Sequence, residues 1–151
     1  MLRLIQFLRP VARYLFIIWL LAIIIVSSTP SIPTLKIHTG KAEIRLDYII
    51  HFCEYGILAF LAFLTYVGKE YKMSFRKFLL ITACLILFAI LDEFHQKLIP
   101  GRAFNVKDVI SNILGIFAAS LFCIVVFRKI VNRNMSRRFL DNARNDMSKK
   151  S

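Results

Sequence analysis

Four apolar stretches, at about residues 14–26, 48–67, 78–98 and 109–127, are separated only by short polar connectors. A bilayer's hydrocarbon core is about 30 Å thick and takes about 20 helical residues to cross. A water-soluble fold of 151 residues would have to hide all four stretches in one small core, at a hydrophobic content of 58% with 14 phenylalanines. Membrane spans use the same stretches directly. The pattern therefore predicts an all-α membrane protein with four transmembrane helices and no soluble domain. Residues 1–13 form a basic N-terminal arm, 14–127 the membrane domain and 128–151 a basic tail.

The net charge of +12 invites a nucleic-acid reading until the charges are placed. Of the 21 Lys and Arg, 15 fall in the N-terminal arm, the 68–77 loop and the tail, and 6 in the two other loops. That asymmetry is the positive-inside signature and predicts both termini in the cytoplasm. The excess charge then marks topology and contact with anionic lipid, and nucleic acid is not expected as a partner. Six of the nine acids lie at or near the opposite, outer side: Glu43, Asp47, Glu54, Asp92, Glu93 and Asp108. Cys53, Cys84 and Cys123 lie within the apolar stretches without CxxC spacing and read as small membrane-buried residues, not as a disulfide or zinc framework.

The connectors are short. The first, 27–47, carries two prolines and is expected to be extended or loosely structured. Its start, Ser27-Ser28-Thr29-Pro30 after a basic, apolar run, also has the form of a signal-peptide exit. In the tail, Met135, Phe139, Ala143 and Met147 recur every four residues, so either a helix on the inner leaflet or a disordered basic tail is open.

Counting along the helices from their basic ends at about 1.5 Å per residue brings the polar residues of three spans into one layer. Glu54 and Asp92 fall about 22 Å out, Glu93 and Asn112 about 24 Å, His51, His95 and Gln96 about 27–29 Å, with Asp47 and Asp108 about 30–33 Å. Asp47, His51 and Glu54 share one helix face, as do Asp108, Asn112 and Gly115. Asp92, His95 and Gln96 share another, with Glu93 turned about 100° away. Carboxylates in a bilayer are costly, so these stripes are expected to face each other around a partly hydrated outer pocket. Pro100-Gly101 marks a turn from which Arg102 can fold back to pair with Asp92, Glu93 or Asp108. Gly115 permits close approach of a neighbouring helix just below the polar layer.

No nucleophile elbow is present. Ser111 has no evident histidine partner, and HExxH and paired Glu-x-x-His motifs are absent. His51-x-x-Glu54 with Asp92 and His95 has the makings of a metal site, but the sequence assigns none, and no cofactor. Partial desolvation makes Glu54, Asp92 and Glu93, with His51 as partner, the candidates for acid-base chemistry. The inner halves of the first three spans lack ionisable groups, which argues against a proton path.

The run Asp92-Glu93-Phe94-His95-Gln96, then Pro100-Gly101-Arg102, then Asp108, Asn112 and Gly115, together with Asp47-x-x-x-His51-Phe52-x-x-Tyr55-Gly56, resembles the VanZ-like family of integral membrane proteins over roughly residues 10–127. Tyr48 stands where that family commonly has Lys, and Glu54 has no place in its pattern. The resemblance implies a multi-pass protein of the bacterial cytoplasmic membrane related to factors that lower susceptibility to teicoplanin, a lipid-tailed glycopeptide. On that basis Asp47, His51, Asp92, Glu93, Gln96, Arg102, Asp108 and Asn112 are the expected ligand-binding residues. The expected partners are membrane lipids, with a lipid-linked wall precursor or lipoglycopeptide as the ligand. An intramembrane hydrolase or transferase acting on a lipid-linked substrate is the alternative.

Overall fold

The computed structural model describes residues 2–30, 36–39, 42–68 and 70–148. Helix α1 (Leu2–Leu8) meets α2 (Ala12–Ser27) through a single 3₁₀ turn at Arg9–Val11. Pro10 explains the break, since it has no N–H to continue the ladder. The first membrane-length helical run is therefore Leu4–Ser27, longer than the apolar stretch alone suggests. It stops where the Ser28 and Thr29 hydroxyls turn back onto the carbonyls of Ile24 and Ile25 and Pro30 follows.

Strands β1 (Lys36–Thr39) and β2 (Ala42–Arg45) pair antiparallel, Lys36 opposite Arg45 and Thr39 opposite Ala42. Within the first connector, expected to be extended or loosely structured, the described residues 36–39 and 42–45 are extended and paired. Helices α3 (Leu46–Tyr66), α4 (Phe75–Gln96) and α5 (Val106–Ser148) complete the chain. Four helices are long and apolar enough to cross a membrane. Their outward faces carry exposed Ile17, Ile18, Leu21, Leu80, Leu87, Leu91, Leu114 and Leu121, which would be costly against water and costs nothing against lipid.

Helix α3 is the centre of the bundle. Tyr55, Leu58, Ala59, Ala62, Phe63 and Leu64 are buried on it, and its most extensive packing is with α5. The reason is Gly115 of α5. A Cβ there would run into the Phe52 carbonyl oxygen, and would lie 3.0 Å from the Phe52 carbonyl carbon and 3.1 Å from the Gly56 nitrogen. Backbone thus packs on backbone, as expected of Gly115 from sequence. Lipid tails are as apolar as leucine, so close van der Waals contact of this kind holds helices together in a membrane.

Helix α5 does not stop at the end of its apolar stretch. It continues as one helix to Ser148, about 64 Å at 1.5 Å per residue, so the disordered-tail alternative is set aside. At the basic end, Glu70 accepts from Lys72 Nζ at 2.9 Å and from Arg138 Nη2 at 3.1 Å, joining the α3–α4 loop to this extension. Arg9 lies over the Tyr71 ring, 4.9 Å from its centre, and Tyr71 packs against Phe127. Lys72 and Arg138 hold the Glu70 carboxyl below its ordinary value of 4.5, the Lys72 hydrogen bond most strongly. The contact is therefore fully present above pH 4.5 and is lost as pH falls through the lowered value. A carbon-13 NMR titration of the Glu70 carboxyl is expected to show a midpoint below 4.5, moving up toward it in Arg138→Ala.

Candidate functional site

At the other end of the bundle the polar residues of α3, α4 and α5 meet in one layer, as their depths predicted. Helix α4 starts on Ser74, whose side chain accepts from the Lys77 N–H, and ends in a turn at residues 99–102. Arg102 N–H closes that turn onto the Ile99 carbonyl at 3.1 Å, and Gly101 has φ 78°. Proline second and glycine third is the chemistry of a type II turn, which requires the positive φ.

Arg102 does fold back, but not onto a carboxylate. Its Nη2 donates to the Val26 carbonyl at 2.8 Å, its Nε to the Thr29 carbonyl at 3.4 Å and its Nη1 to Gln96 Oε1 at 3.1 Å. The last carbonyls of a helix lack intrahelical partners; Ser28 and Thr29 serve those of Ile24 and Ile25, and Arg102 joins the Thr29 N–H on that of Val26 and reaches the Thr29 carbonyl just beyond α2. The expected pairing with Asp92, Glu93 or Asp108 is replaced by this contact.

Asp92, 6% exposed, is held by neutral donors. Its Oδ2 accepts from Ser27 Oγ at 3.0 Å, Tyr55 OH at 2.9 Å and Gln96 Nε2 at 3.2 Å, linking α2, α3 and α4. Ser27 is not among the candidates from sequence, and Tyr55 figures there only in the family motif. Ser27 ends its span at the depth of the other polar residues, and that depth is the signal by which the sequence could have found it.

Glu93 faces inward too and is fully buried, whereas His95 is exposed. Asp92 and Gln96 are buried on the face inferred from helical spacing, but Glu93 and His95 exchange the places expected of them. That inference assumes one buried side, while α4 has α2 and α3 on one flank and α5 on another. Glu93 Oε1 accepts the Asn105 N–H at 2.9 Å. Asn105 in turn starts α5, its side chain accepting from the Lys107 N–H, so the carboxylate of Glu93 sits at the positive end of the α5 dipole. Beside it, His51 Nε2 lies 3.8 Å from Asp108 Oδ2. One ligand-type atom each from His51, Glu93 and Asp108 fall within 4.8 Å of one another, the one such group among the described residues. Asn112, one turn along α5 from Asp108, is fully buried and neither its oxygen nor its nitrogen has a hydrogen-bond partner.

A cavity of about 400 Å³ opens at this layer. Ser27, Asp47, His51, Glu54, Gln96, Arg102, Asn105 and Asp108 provide its polar lining, and Val26, Ile50 and Phe104 part of its apolar one. Asp92, Glu93 and Asn112 do not line it, and stand behind the wall. Phe104 is fixed by stacking on Phe94, ring centres 4.9 Å apart. Glu54, which the family pattern does not place, lines the cavity, and its backbone carbonyl accepts from Trp19 Nε1 at 2.9 Å. A larger cavity of about 610 Å³ lies toward the basic end, among Phe63, Phe75, Phe78 and Phe127. No acid or histidine lines it; Lys72, Arg128 and Asn132 are among its polar groups.

Four apolar helices enclosing a polar-lined cavity at one end define a multi-pass membrane protein of the helical-bundle class. The VanZ/LLP1 family model matches residues 12–128, which take in α2, α3, α4, the first half of α5 and the whole polar layer. The chain belongs to the VanZ/LLP1 family. No curated protein and no solved structure matches it significantly.

Proposed function

We propose that this chain is a bacterial inner-membrane envelope factor whose cavity faces outward and holds the polar end of an amphiphile. The ligand class is a lipid, a lipid-linked wall precursor or a lipoglycopeptide of the teicoplanin type, with reduced teicoplanin susceptibility as the cellular role. The observation that carries this reading is the cavity itself. A volume of about 400 Å³ suits a headgroup, charged and amide groups line it, and the surrounding helix faces are apolar enough for an acyl chain to lie along them. The outward direction rests on the 15 to 6 division of basic residues.

Two experiments test it. In nanodiscs, a photo-crosslinkable phospholipid or lipoglycopeptide is expected to label residues 47–54 and 96–108; labelling confined to residues 68–77 would overturn the proposal. For orientation, single cysteines replace His38, Phe104, Lys72 or Asn145 on a background lacking Cys53, Cys84 and Cys123. An impermeant reagent is expected to modify the first two in intact cells and the last two only after permeabilisation. The reverse pattern would turn the cavity to the cytoplasm and remove the lipoglycopeptide role.

A hydrolase or transferase acting on a lipid-linked substrate is the second reading, supported by His51 and Asp108 standing 3.8 Å apart on the cavity wall. Asp92 and Glu93 lie off the cavity surface, so this reading rests on Glu54 and His51 as acid and base. Lipid extracts that are unchanged between wild-type and Glu54→Gln cells would count against it.

A further inference from the structure

We propose that His51, Glu93 and Asp108 form a binding site for one divalent transition-metal ion, which the sequence alone does not assign. Three observations converge. The first is donor chemistry: one imidazole and two carboxylates, drawn from three different helices, bring ligand-type atoms within 4.8 Å of one another. Atoms bound to one zinc at about 2.0–2.2 Å stand about 3.3–3.6 Å apart in a tetrahedron, so His51 Nε2 and Asp108 Oδ2, at 3.8 Å, need to close by only a few tenths of an ångström.

The second observation is unspent capacity. Glu93 is fully buried, and while its Oε1 accepts the Asn105 N–H, its Oε2 has no partner. A buried carboxylate oxygen without a donor is expensive, and no Lys or Arg among the described residues pairs with Glu93. Arg102, the cation on the cavity wall, is engaged by the carbonyls of Val26 and Thr29 and by Gln96. A divalent ion would add to the α5 helix end a full positive charge beside Glu93, which no Lys or Arg among the described residues supplies.

The third is access. His51 and Asp108 line the cavity while Glu93 lies behind them. Three protein ligands leave a tetrahedral ion one further position, and here that position faces the cavity, open to water or an oxygen of the cavity's occupant. An imidazole in the set favours zinc and its first-row neighbours over magnesium and calcium, which prefer oxygen alone. The inference stands apart from the amphiphile reading, since neither requires the other.

The test uses the full-length protein in detergent, stripped with chelator and then titrated with Zn²⁺ or Co²⁺. About one equivalent per chain is expected after desalting, with the intense visible bands of low-symmetry Co²⁺ and a rise in thermal midpoint on metal addition. Glu93→Gln keeps the shape of the side chain and should fold. It is expected to lose the bound metal and the midpoint shift, while Lys72→Ala, at the far end of the bundle, keeps both. Failure of the wild type to retain metal, or retention of a full equivalent by Glu93→Gln, would overturn the site. Crosslinking of a photoactivatable lipid to residues 47–54, measured on the same stripped sample, reports on the amphiphile reading separately.

Discussion

Gly115→Ala will leave little folded protein. The new methyl group has no side chain to push aside, because what it meets is the backbone of α3, at the Phe52 carbonyl and the Gly56 nitrogen. Overpacking a soluble core costs about 1–3 kcal/mol when flexible side chains absorb it. Here whole helices must separate along their tightest contact, so a loss of at least about 3 kcal/mol is expected. Thermal or SDS-induced unfolding of the purified protein measures it. Gly56→Ala is the internal control: a Cβ at Gly56 would sit 3.5 Å from the Gly115 carbonyl oxygen, an ordinary contact. Its cost should stay below about 1 kcal/mol. Equal costs for the two would mean that α3 and α5 do not meet as described.

The second large effect is expected at Asp92. Asp92→Ala removes the acceptor shared by Ser27, Tyr55 and Gln96 and leaves their donors buried without it. Hydrogen bonds to a charged acceptor are worth about 1.5–3 kcal/mol each in water-soluble proteins and less between membrane helices, so about 2–4 kcal/mol in all is expected. Asp92→Asn keeps an oxygen where three donors converge and should cost far less. Tyr55→Phe should cost about 1 kcal/mol, the value of one bond. If Asp92→Ala proves as stable as Asp92→Asn, the carboxylate is not what ties α2, α3 and α4 together.

The parts of this arrangement that are legible in the sequence are those governed by one variable. Depth along a helix is such a variable, and counting residues is enough to bring Asp47, His51, Glu54, Asp92, Glu93, Gln96, Asp108 and Asn112 to one level. Gly115 is legible for the same reason, as a missing side chain just beneath that level. Rotation about the helix axis is legible only where one face is buried. On α3 and α5 the stripes face inward as expected, but α4 packs on two flanks, and so Glu93 turns in and His95 out. The destination of Arg102 depends on the end of α2 lying beside the turn at 99–102, a relation between distant segments that no local pattern encodes. That same relation hides Ser27, whose role exists only because α2 ends against α4. The division between residues that line the cavity and residues that stand behind it is likewise a product of packing, and it separates Gln96, Arg102 and Asp108 from Asp92, Glu93 and Asn112.

The order in which the Asp92 contacts occur along the chain bears on how the protein enters the membrane. Synthesis proceeds from the N-terminus, and an acid in a membrane-spanning helix is costly to insert without a partner, although less so toward the edge of the core, where Asp92 and Glu93 lie, than at its centre. Ser27 and Tyr55 belong to α2 and α3, so both donors are already in the bilayer when α4 delivers Asp92. Gln96 arrives with it, one turn away. Glu93 has no such welcome, because the Asn105 N–H and the start of α5 come out of the ribosome after it. Until α5 is in place, α4 carries one satisfied acid and one waiting acid, which makes α5 the helix that commits α4 to the membrane.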